Sequence, residues 1–334
     1  MPFKVLVTDY VWPSIEPEKA VLERIGAELV VAPDSSEDTL AGLAGDVDGI
    51  LTCFAQVTDK VLRAAEKCIV VGRYGVGVDN IAVDTATELG MAVTYVPDYC
   101  VEEVSDHVLG LLLTWNRRVA YFDRMVKTSG WGSLSLTMPI LRLRGKKLGI
   151  VGFGRIGQVV CRKALAFGFE VLTSDPFVPA ETATQLGASM VGMQELLRES
   201  DFITLHSPLI PETRNLIGAA ELDLMKSTAF LINCARGPLI DEEALYEALK
   251  NNRIGGAGLD VLVDAHPAPD HPLLKLENAI ITPHVAFFSE EAVLELEERA
   301  AEEGAAVLQG RRPKNLVNKD VLAHANPRHQ LPRG

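Results

Sequence analysis

Short apolar runs alternate with amphipathic segments along almost the whole chain, in two successive series. In the first series, the segments between the apolar runs carry apolar residues at helical spacing, and buried strands are predicted at residues 4–8, 28–32, 49–52 and 68–71. The second series begins at residue 147 and continues to residue 281. Such alternation predicts an α/β fold in which helices cover both faces of a parallel sheet. We therefore expect two doubly wound domains with a ligand-binding cleft between them.

The composition supports an ordered protein with two domains. The chain has 334 residues, of which 48% are apolar and 23% are charged. A formal charge of −13 disfavours phosphate backbones and anionic membranes as partners. No apolar run approaches the ~18–20 residues that cross a bilayer, and the first residues show no signal-peptide pattern. We expect a cytoplasmic protein that binds neither nucleic acid nor membrane.

The cysteines and histidines do not indicate a metal site. Five cysteines occur singly, at positions 53, 68, 100, 161 and 234, with neither a disulfide framework nor zinc-ligand spacing. The histidines outside the motifs described below also lack metal-ligand spacing. We therefore expect no bound metal.

A long helical segment, residues 101–126, separates the two series. Its apolar residues recur every three or four positions, and Trp115 looks exposed in this pattern. A Gly/Ser-rich stretch at residues 129–133 follows it. The second series is followed by a predicted helix at residues 289–308 and a basic tail from Arg311, which we interpret as solvated.

A Gly-x-Gly-x-x-Gly run at residues 152–157 indicates a dinucleotide site. The run follows the apolar strand 147–151 and opens a helix at residues 158–166. Three glycines there allow a tight turn, close approach of the backbone to a pyrophosphate, and packing of helix on strand. The helix N-terminus adds free N–H groups. The predicted cofactor contacts are Gly152, Gly154, Arg155, Ile156 and Gly157.

Asp175 ends the next predicted strand and indicates which dinucleotide binds. A carboxylate at this place accepts hydrogen bonds from the adenosine ribose and repels a 2′-phosphate. No Arg or Lys follows it through Thr184. The sequence therefore favours NAD over NADP.

Several ordered motifs resemble those of the D-isomer-specific 2-hydroxyacid dehydrogenases, over nearly the whole chain. They are Leu-His-Ser-Pro-Leu at 205–209 with Glu-Thr at 212–213, Asn-Cys-Ala-Arg-Gly at 233–237, Leu-Asp-Val at 259–261 and Thr-Pro-His at 282–284. Segments 73–77, 98–103 and 289–291 resemble the branch that includes the C-terminal binding proteins.

The resemblance implies further cofactor contacts along the second series. Asp260 is expected to hold the nicotinamide carboxamide, and Cys234 to lie beside the nicotinamide as a small apolar filler. The other cofactor contacts expected are His206, Ser207, Pro208, Thr213, Ala235 and Val104.

The chemistry that the resemblance implies accounts for a histidine and an arginine. Hydride transfer to C2 of a 2-oxo acid leaves an oxygen that needs a proton, and His284 is the candidate donor. The substrate carboxylate and carbonyl need a planar, bidentate partner, and Arg236 is the candidate. Both are expected to be catalytic residues.

The substrate carboxylate is also expected to meet the first domain. The glycines of the segment Arg73, Tyr74, Gly75, Val76 and Gly77 can present backbone N–H groups to it. Arg73 is either a second positive charge there or part of a surface ion pair. Phe54 and Phe287 are candidates for lining the substrate side-chain pocket, with plain core packing as the alternative.

The chain departs from the family pattern at one catalytic position. The family has a glutamate five residues after the Leu-Asp-Val aspartate, which hydrogen-bonds the histidine, and this chain has Ala265 there. Three alternatives stay open. Asp264 or another acid takes over the role, although a one-residue shift in extended chain points a side chain the opposite way. Otherwise His284 works unpaired, or the protein is an impaired enzyme whose main role is binding.

The resemblance implies a complete domain assignment and a function. A substrate domain would comprise residues 1–101 and 289–334, and an NAD-binding Rossmann domain residues 102–288. The expected activity is NAD-dependent interconversion of a small D-2-hydroxy acid and its 2-oxo acid. The segment 101–126 resembles the family's dimer element and implies a homodimer. The alternative is an NAD(H)-sensing scaffold that resembles the C-terminal binding corepressors, favoured by Ala265 and disfavoured by the lack of a disordered partner-binding extension.

Overall fold

The first series of apolar runs forms a parallel sheet with helices between the strands. In the computed structural model, which describes residues 2–131, 140–324, 327–328 and 331–332, every predicted strand of this series is present within two residues of its expected limits. The first nine elements are β1 Lys4–Val7, α1 Glu16–Glu23, β2 Glu28–Val31, α2 Glu37–Ala44, β3 Gly49–Thr52, α3 Asp59–Ala64, β4 Val70–Arg73, α4 Val83–Glu88 and β5 Ala92–Thr94.

The second series forms a larger parallel sheet. Its elements are α5 Val101–Arg117, α6 Val119–Ser129, β6 Lys147–Val151, α7 Arg155–Ala166, β7 Glu170–Ser174, α8 Ala180–Gln185, β8 Ala188–Met190, α9 Met193–Glu199, β9 Phe202–Leu205, α10 Ala219–Leu224, β10 Phe230–Asn233, α11 Glu242–Lys250, β11 Gly256–Leu259 and β12 Ala279–Ile281. A final helix, α12 Glu290–Leu308, begins after Ser289, whose hydroxyl caps it by accepting the Ala292 N–H at 2.9 Å.

The backbone divides into two compact units. The first unit comprises Met1–Tyr99 with Ser289–Gly334, and the second comprises Cys100–Phe288. A boundary after residue 101 would cut the first turn of α5, which belongs whole to the second unit. Gly132 and Ser133 of the predicted loop lie outside the described residues, as do residues 325–326, 329–330 and 333–334 of the basic tail.

Both sheets have the strand order of doubly wound folds. The first unit has the order β2-β1-β3-β4-β5 and the second has β12-β11-β10-β9-β6-β7-β8, with every described strand pair parallel. The direction of strand succession reverses between β1 and β3 in one sheet and between β6 and β9 in the other. Ligands of such sheets bind beyond the carboxyl ends of the strands at these points. The predicted fold class is confirmed.

The segment 101–126 is not one helix. It breaks at Arg118, whose left-handed backbone (φ 55°) ends α5, and α6 then buries none of its residues. Trp115 is 7% exposed and stacks on Phe230 with ring centroids 4.8 Å apart, so its exposed appearance in the sequence is misleading. Gly256 makes this possible, because a Cβ there would overlap the indole ring.

Within the described part of the chain, every helix is too short or too polar to span a lipid bilayer. No group of three or more His, Cys, Asp or Glu side chains among those residues is arranged to hold a metal ion.

Candidate active site

The glycine loop lies where the second sheet reverses direction. Gly152 follows β6 with φ 89°, a conformation that favours glycine, and a Cβ there would lie 2.7 Å from the carbonyl carbon of His206, which follows β9. Gly157 lies in α7 against the Gly152 carbonyl oxygen, so closely that a Cβ would overlap it. These two glycines let the loop, the helix and the neighbouring strand approach one another.

Gly154 differs from the other two glycines because a Cβ there would meet no protein atom within 4 Å. It is the N-cap residue of α7, and no side chain caps the first turn of that helix. The loop therefore leaves open space in front of a helix N-terminus, which is the arrangement that binds a pyrophosphate. Arg155 and Ile156 stand in this first turn, exposed and half-buried respectively.

Asp175 follows β7 and closes the glycine loop. Its Oδ2 accepts the Phe153 N–H at 2.7 Å, and its Oδ1 accepts the Phe177 N–H at 2.8 Å and the Val178 N–H at 3.2 Å. A carboxylate has about four acceptor sites, so these bonds leave capacity for a ribose hydroxyl. The structure adds a loop-closing role that the sequence did not predict.

The segment after β9 is held by its own polar groups. The ring of His206 lies with Nε2 3.0 Å from the Thr204 hydroxyl, and burial lowers the pKa of this histidine to about 4. His206 is therefore neutral near pH 7. The hydroxyl of Thr213 donates to the Pro208 carbonyl at 2.7 Å and closes the turn, in which Ser207 is half-buried.

Arg236 follows β10 in a tightly bonded turn. The Asn233 side chain donates to the Arg236 carbonyl at 2.8 Å and accepts the Ala235 N–H at 3.0 Å. The Arg236 guanidinium is half-buried, and its Nη1 donates to the Ala235 carbonyl at 2.8 Å. Gly237 follows, so close to the Leu262 carbonyl that no Cβ fits. These bonds fix the backbone from which the Arg236 side chain extends.

Asp260 follows β11, the neighbour of β10, and His284 lies beyond the end of β12, the neighbour of β11. The register pairs Asn233 with Leu259 and Leu259 with Ile281, so the residues after these strands emerge at one edge of the sheet. His284 has a left-handed backbone (φ 54°), and its N–H donates to the Asp260 carbonyl at 2.8 Å. Its ring centroid lies 6.3 Å from that of Phe287, edge to face.

The Asp260 carboxylate is nearly inaccessible and holds the His284 segment. Oδ1 accepts the Thr282 hydroxyl at 2.5 Å and the Val285 N–H at 3.0 Å, and Oδ2 accepts the Ala286 N–H at 2.9 Å. Burial raises the pKa of Asp260, and these three donors oppose that rise. The expectation that Asp260 serves the carboxamide is therefore joined by a structural role.

Asp264, the candidate substitute for the missing glutamate, bonds its own turn. It lies in an exposed turn, and in the described structure its Oδ1 accepts the His266 N–H at 2.9 Å rather than a proton of the His284 ring. Ala265 beside it is exposed. This bond favours the alternatives in which another acid, or none, serves His284, and all three alternatives stay predictions.

Three further residues expected at the site lie in the second unit and are buried or half-buried there. Cys234 is half-buried against the core that β6 and β10 share, and burial raises the pKa of its thiol well above the ordinary value, as suits an apolar filler. Val104 is buried in α5. Phe287 is 8% exposed and touches Phe288 as well as His284.

In the first unit, Arg73 ends β4 and wraps around its own loop. Its side chain is 6% exposed, with Nε donating to the Gly77 carbonyl at 2.9 Å and Nη1 bonded to the Tyr74 carbonyl. This burial disfavours a surface ion pair, and a part of Arg73 in substrate binding stays a prediction. The N–H of Gly75 donates to the Arg73 carbonyl at 3.0 Å, and in the described structure no hydrogen bond engages the N–H groups of Val76 and Gly77.

Tyr74 is placed in the core, which corrects its expected contact with substrate. The side chain is 1% exposed, packs edge to face on Trp12 at 5.0 Å, and donates its hydroxyl to Glu18 at 3.2 Å. Its N–H donates to the Thr52 carbonyl at 2.8 Å. Tyr74 supports the loop and offers nothing to a ligand.

Phe54 lies in a neighbouring loop after β3, with the Arg73 guanidinium carbon 5.9 Å from its ring centroid. Sequence reasoning missed the residue that shapes this loop. Asp9 accepts the N–H groups of Cys53, Phe54 and Ala55 at 2.9, 2.6 and 3.0 Å. Asp9 lies just beyond the carboxyl end of β1, one of the two strands between which the sheet reverses direction. That position was the sequence feature that could have identified it.

Comparison with known proteins decides the family. Residues 109–286 match the family model "D-isomer specific 2-hydroxyacid dehydrogenase, NAD binding domain". The chain belongs to the D-isomer-specific 2-hydroxyacid dehydrogenase family. The finer resemblance to the C-terminal binding proteins is not tested by these matches and stays a prediction.

The chain is similar to members of this family that are named for several different activities. It is 42% identical to D-3-phosphoglycerate dehydrogenase of Methanocaldococcus jannaschii over 94% of its length, but spans only 59% of that relative. It is 41% identical to glyoxylate reductase of Korarchaeum cryptofilum over 85% of its length and 87% of the relative. The solved D-lactate dehydrogenase of Aquifex aeolicus, complexed with NAD and lactic acid, matches with a TM-score of 0.84 and 28% identity, over 92% of this chain and 96% of that one.

The 2-hydroxyacid dehydrogenase family uses a nicotinamide dinucleotide, and this chain's residues fit one. The open space at Gly154, the uncapped first turn of α7 and the crowded positions of Gly152 and Gly157 are the features that such a cofactor requires.

Proposed function

We propose that the protein interconverts a small D-2-hydroxy acid and its 2-oxo acid with NAD(H). The observation that carries this proposal is the placement of Arg236, Asp260 and His284. They follow three adjacent parallel strands, in the same sheet whose switch point holds the glycine loop. The names of the similar glyoxylate reductase and D-lactate dehydrogenase support the same reaction class.

The protein groups have separate tasks in this reaction. The nicotinamide, when bound, supplies or accepts the hydride. Arg236 orients the substrate by binding its carboxylate and carbonyl through a planar, charged fork. His284 gives a proton to the substrate oxygen during reduction and takes it back during oxidation. The N–H groups of Val76 and Gly77 are proposed as further anchors for the carboxylate.

The proposed cofactor is NAD rather than NADP. Asp175 places a carboxylate at the end of β7, and the exposed residues that follow it are apolar or acidic through Glu181. A ribose 2′-phosphate would meet this charge, and no Lys or Arg lies among residues 176–184 to offset it.

The proposed substrates range from glyoxylate and hydroxypyruvate to 2-oxo acids with a larger apolar side chain. Phe287 supports the larger ones because it is an aromatic residue that touches the His284 ring. Phe54 is the corresponding candidate of the first unit.

A screen of NADH oxidation over about twenty 2-oxo acids at several pH values tests the proposal. We expect turnover with at least one acid and, where the product is chiral, formation of its D enantiomer. NADH binding without turnover on any acid would contradict it. That result would favour the NAD(H)-sensing scaffold, for which Ala265 and the unrelated bond of Asp264 are the supporting observations.

We also propose that the protein is a homodimer with α6 at the contact. This helix has no buried residue, and it exposes Val119 by 57% and Tyr121 by 39%. A second copy would cover these side chains. Light scattering should give twice the chain mass of 36.2 kDa, and Tyr121→Glu should lower it toward the monomer. A monomeric wild type would contradict this part.

A further inference from the structure

The segment that carries His284 is held in an unfavourable backbone conformation. A non-glycine residue with φ 54° persists only where its surroundings fix it. Here the His284 N–H donates to the Asp260 carbonyl at 2.8 Å, and the Asp260 carboxylate accepts the N–H groups of Val285 and Ala286. The backbone is thus bonded at His284 and at the two residues after it.

Thr282, two residues before His284, belongs to the same hydrogen-bonded group. Its hydroxyl oxygen lies 2.5 Å from Asp260 Oδ1 and 2.9 Å from His107 Nε2. His107 Nε2 also lies 3.5 Å from Asp260 Oδ1. His107 comes from α5, so a helix on the face of the sheet reaches the strand end that presents His284.

The single proton of the Thr282 hydroxyl determines the direction of these bonds. Thr282 donates this proton to Asp260 Oδ1. The hydroxyl oxygen must then accept from His107, which requires that Nε2 of His107 carries a hydrogen. The chain of bonds runs from His107 through Thr282 to Asp260, and from Asp260 to the backbone around His284.

We propose that His107 is a positioning residue for His284, acting through Thr282 and Asp260. This inference rests on the proposed function, in which His284 handles the substrate proton.

Two features of the chain make such support from α5 effective. Ala265 removes the carboxylate that the family places beside the histidine, and Asp264 bonds its own turn. Meanwhile α5 is rigidly packed, because Leu111 and Trp115 are buried one and two turns beyond His107 on the same helical face. His107 itself is 23% exposed, so its ring leaves this core and reaches the loop.

Steady-state kinetics on three variants test the proposal. His107→Leu removes the donor and should lower kcat for 2-oxo acid reduction about 10–100-fold, the size of effect that a small misplacement of a reacting group produces. KM and the Kd for NADH should change less than 3-fold. His107→Gln keeps an N–H donor of similar reach and should recover at least a third of kcat. Asp106→Asn, on the exposed side of the same helix, is the matched control and should leave kcat unchanged.

Thr282→Val tests whether the residues act in one chain of bonds. It should lower kcat at least as much as His107→Leu, and adding His107→Leu to it should lower kcat by less than 2-fold more. The proposal is overturned if His107→Leu keeps its kcat, if His107→Gln is as slow as His107→Leu, or if the two losses multiply.

Nuclear magnetic resonance separates this inference from the proposed function, because it needs no turnover. Histidine-ring spectra should show a hydrogen on Nε2 of His107 that exchanges slowly in the wild type and quickly in Thr282→Val. The backbone amide resonances of His284 and Val285 should shift in His107→Leu but not in Asp106→Asn. Wild type without turnover but with these signals would refute the proposed activity alone. A wild-type His107 protonated only on Nδ1, or unshifted amides, would refute the positioning role.

Discussion

At the scale of single residues, Arg236 is distinguished by a turn that fixes its backbone while its guanidinium stays half-exposed. Arg236→Lys keeps the charge but loses the planar fork. We expect kcat/KM to fall at least about 100-fold, equivalent to about 2.7 kcal/mol of lost transition-state stabilisation. The Kd for NADH should change less than about 3-fold, because the turn itself survives.

Arg253→Lys is the matched control for this substitution. Arg253 is exposed in the same unit and pairs with Asp223 at 2.8 Å. Kinetics of both variants with the best 2-oxo acid are the measurement. Near-wild-type kcat/KM in Arg236→Lys would show that Arg236 only supports its turn.

Ala265 is the residue at which the chain departs from its family. Ala265→Glu would place a carboxylate near the His284 imidazole and favour its protonated form. Because reduction needs that form, the alkaline limb of its pH–rate profile should move up by about one pH unit.

The control variants lie in the same loop. Ala268→Glu adds the same charge at another exposed position and should not move the profile. Asp264→Asn should also leave it in place, because Asp264 bonds the His266 N–H. An unchanged profile in Ala265→Glu would mean that this loop does not face His284.

Asp175 should decide cofactor choice. We expect NADH to bind at least about 30-fold more tightly than NADPH, a difference of about 2 kcal/mol. In Asp175→Asn the side chain can still accept the Phe153 N–H but has lost its charge. The difference in affinity between NADH and NADPH should therefore become smaller. Fluorescence titration measures both constants, and Glu170→Gln, exposed on the same strand, is the control. Equal affinities in the wild type would contradict the role of Asp175.

At the scale of elements, the loop between β6 and α7 separates packing from cofactor binding. In Gly154→Ala the new methyl group meets no protein atom, and φ is −72°, so the melting temperature should stay within about 1–2 °C of wild type. The methyl group would nevertheless keep the pyrophosphate from the backbone. NADH affinity should fall at least about 10-fold, or about 1.4 kcal/mol.

Gly157→Ala should behave differently. Its methyl group would overlap the Gly152 carbonyl, so the melting temperature and NADH affinity should fall together. Thermal unfolding and NADH titration of the two variants are the measurements. A Gly154→Ala variant that binds NADH normally would show that the open space in front of α7 is not the pyrophosphate site.

At the scale of the whole molecule, stability should depend on a buried pair of acids between α1 and α12. Glu18 is inaccessible and Glu297 is 4% exposed, and each has one carboxylate oxygen without a hydrogen-bond partner among the described residues. Burial, together with Glu18, raises the pKa of Glu297 to about 9 from an ordinary 4.5. The folded protein therefore keeps a proton that the unfolded chain releases over this range. The contribution of Glu297 to stability is full below pH 4.5 and is lost as the pH rises toward 9.

Glu297→Gln should remove this loss, because glutamine mimics the protonated acid. The melting temperature should rise at pH 8 by about 2–4 °C per kcal/mol gained, and should change little at pH 5. Glu302→Gln, exposed on the same helix, should show no such pH dependence. Calorimetry at both pH values is the measurement. An equal effect of Glu297→Gln at pH 5 and pH 8 would contradict the raised pKa of Glu297.

The sequence by itself determined the fold class and the positions of the strand ends near which Arg236, Asp260 and His284 lie. Period-two and period-3.6 patterns report which face of an element is buried, and glycines at 152, 154 and 157 report close backbone approach, so both kinds of information are local. The strands before Arg236, Asp260 and His284 lie where these patterns predicted them, whereas the roles proposed for the three residues came from the resemblance to the family. The break at Arg118 was missed because apolar residues recur at helical spacing through both α5 and α6. Only packing decides which of these apolar residues are buried.

Tertiary structure alone decided what individual polar side chains bond. Tyr74 and Trp115 look available in sequence, yet each lies in a core because residues distant in the chain, Glu18 and Phe230, meet them there. Asp264 is adjacent to the missing glutamate's position, yet it caps its own turn. A hydrogen bond requires an approach of about 3 Å with defined angles. That geometry depends on how separate strands and helices pack, which no local pattern of residues specifies, and it is why His107 was found only in the folded protein.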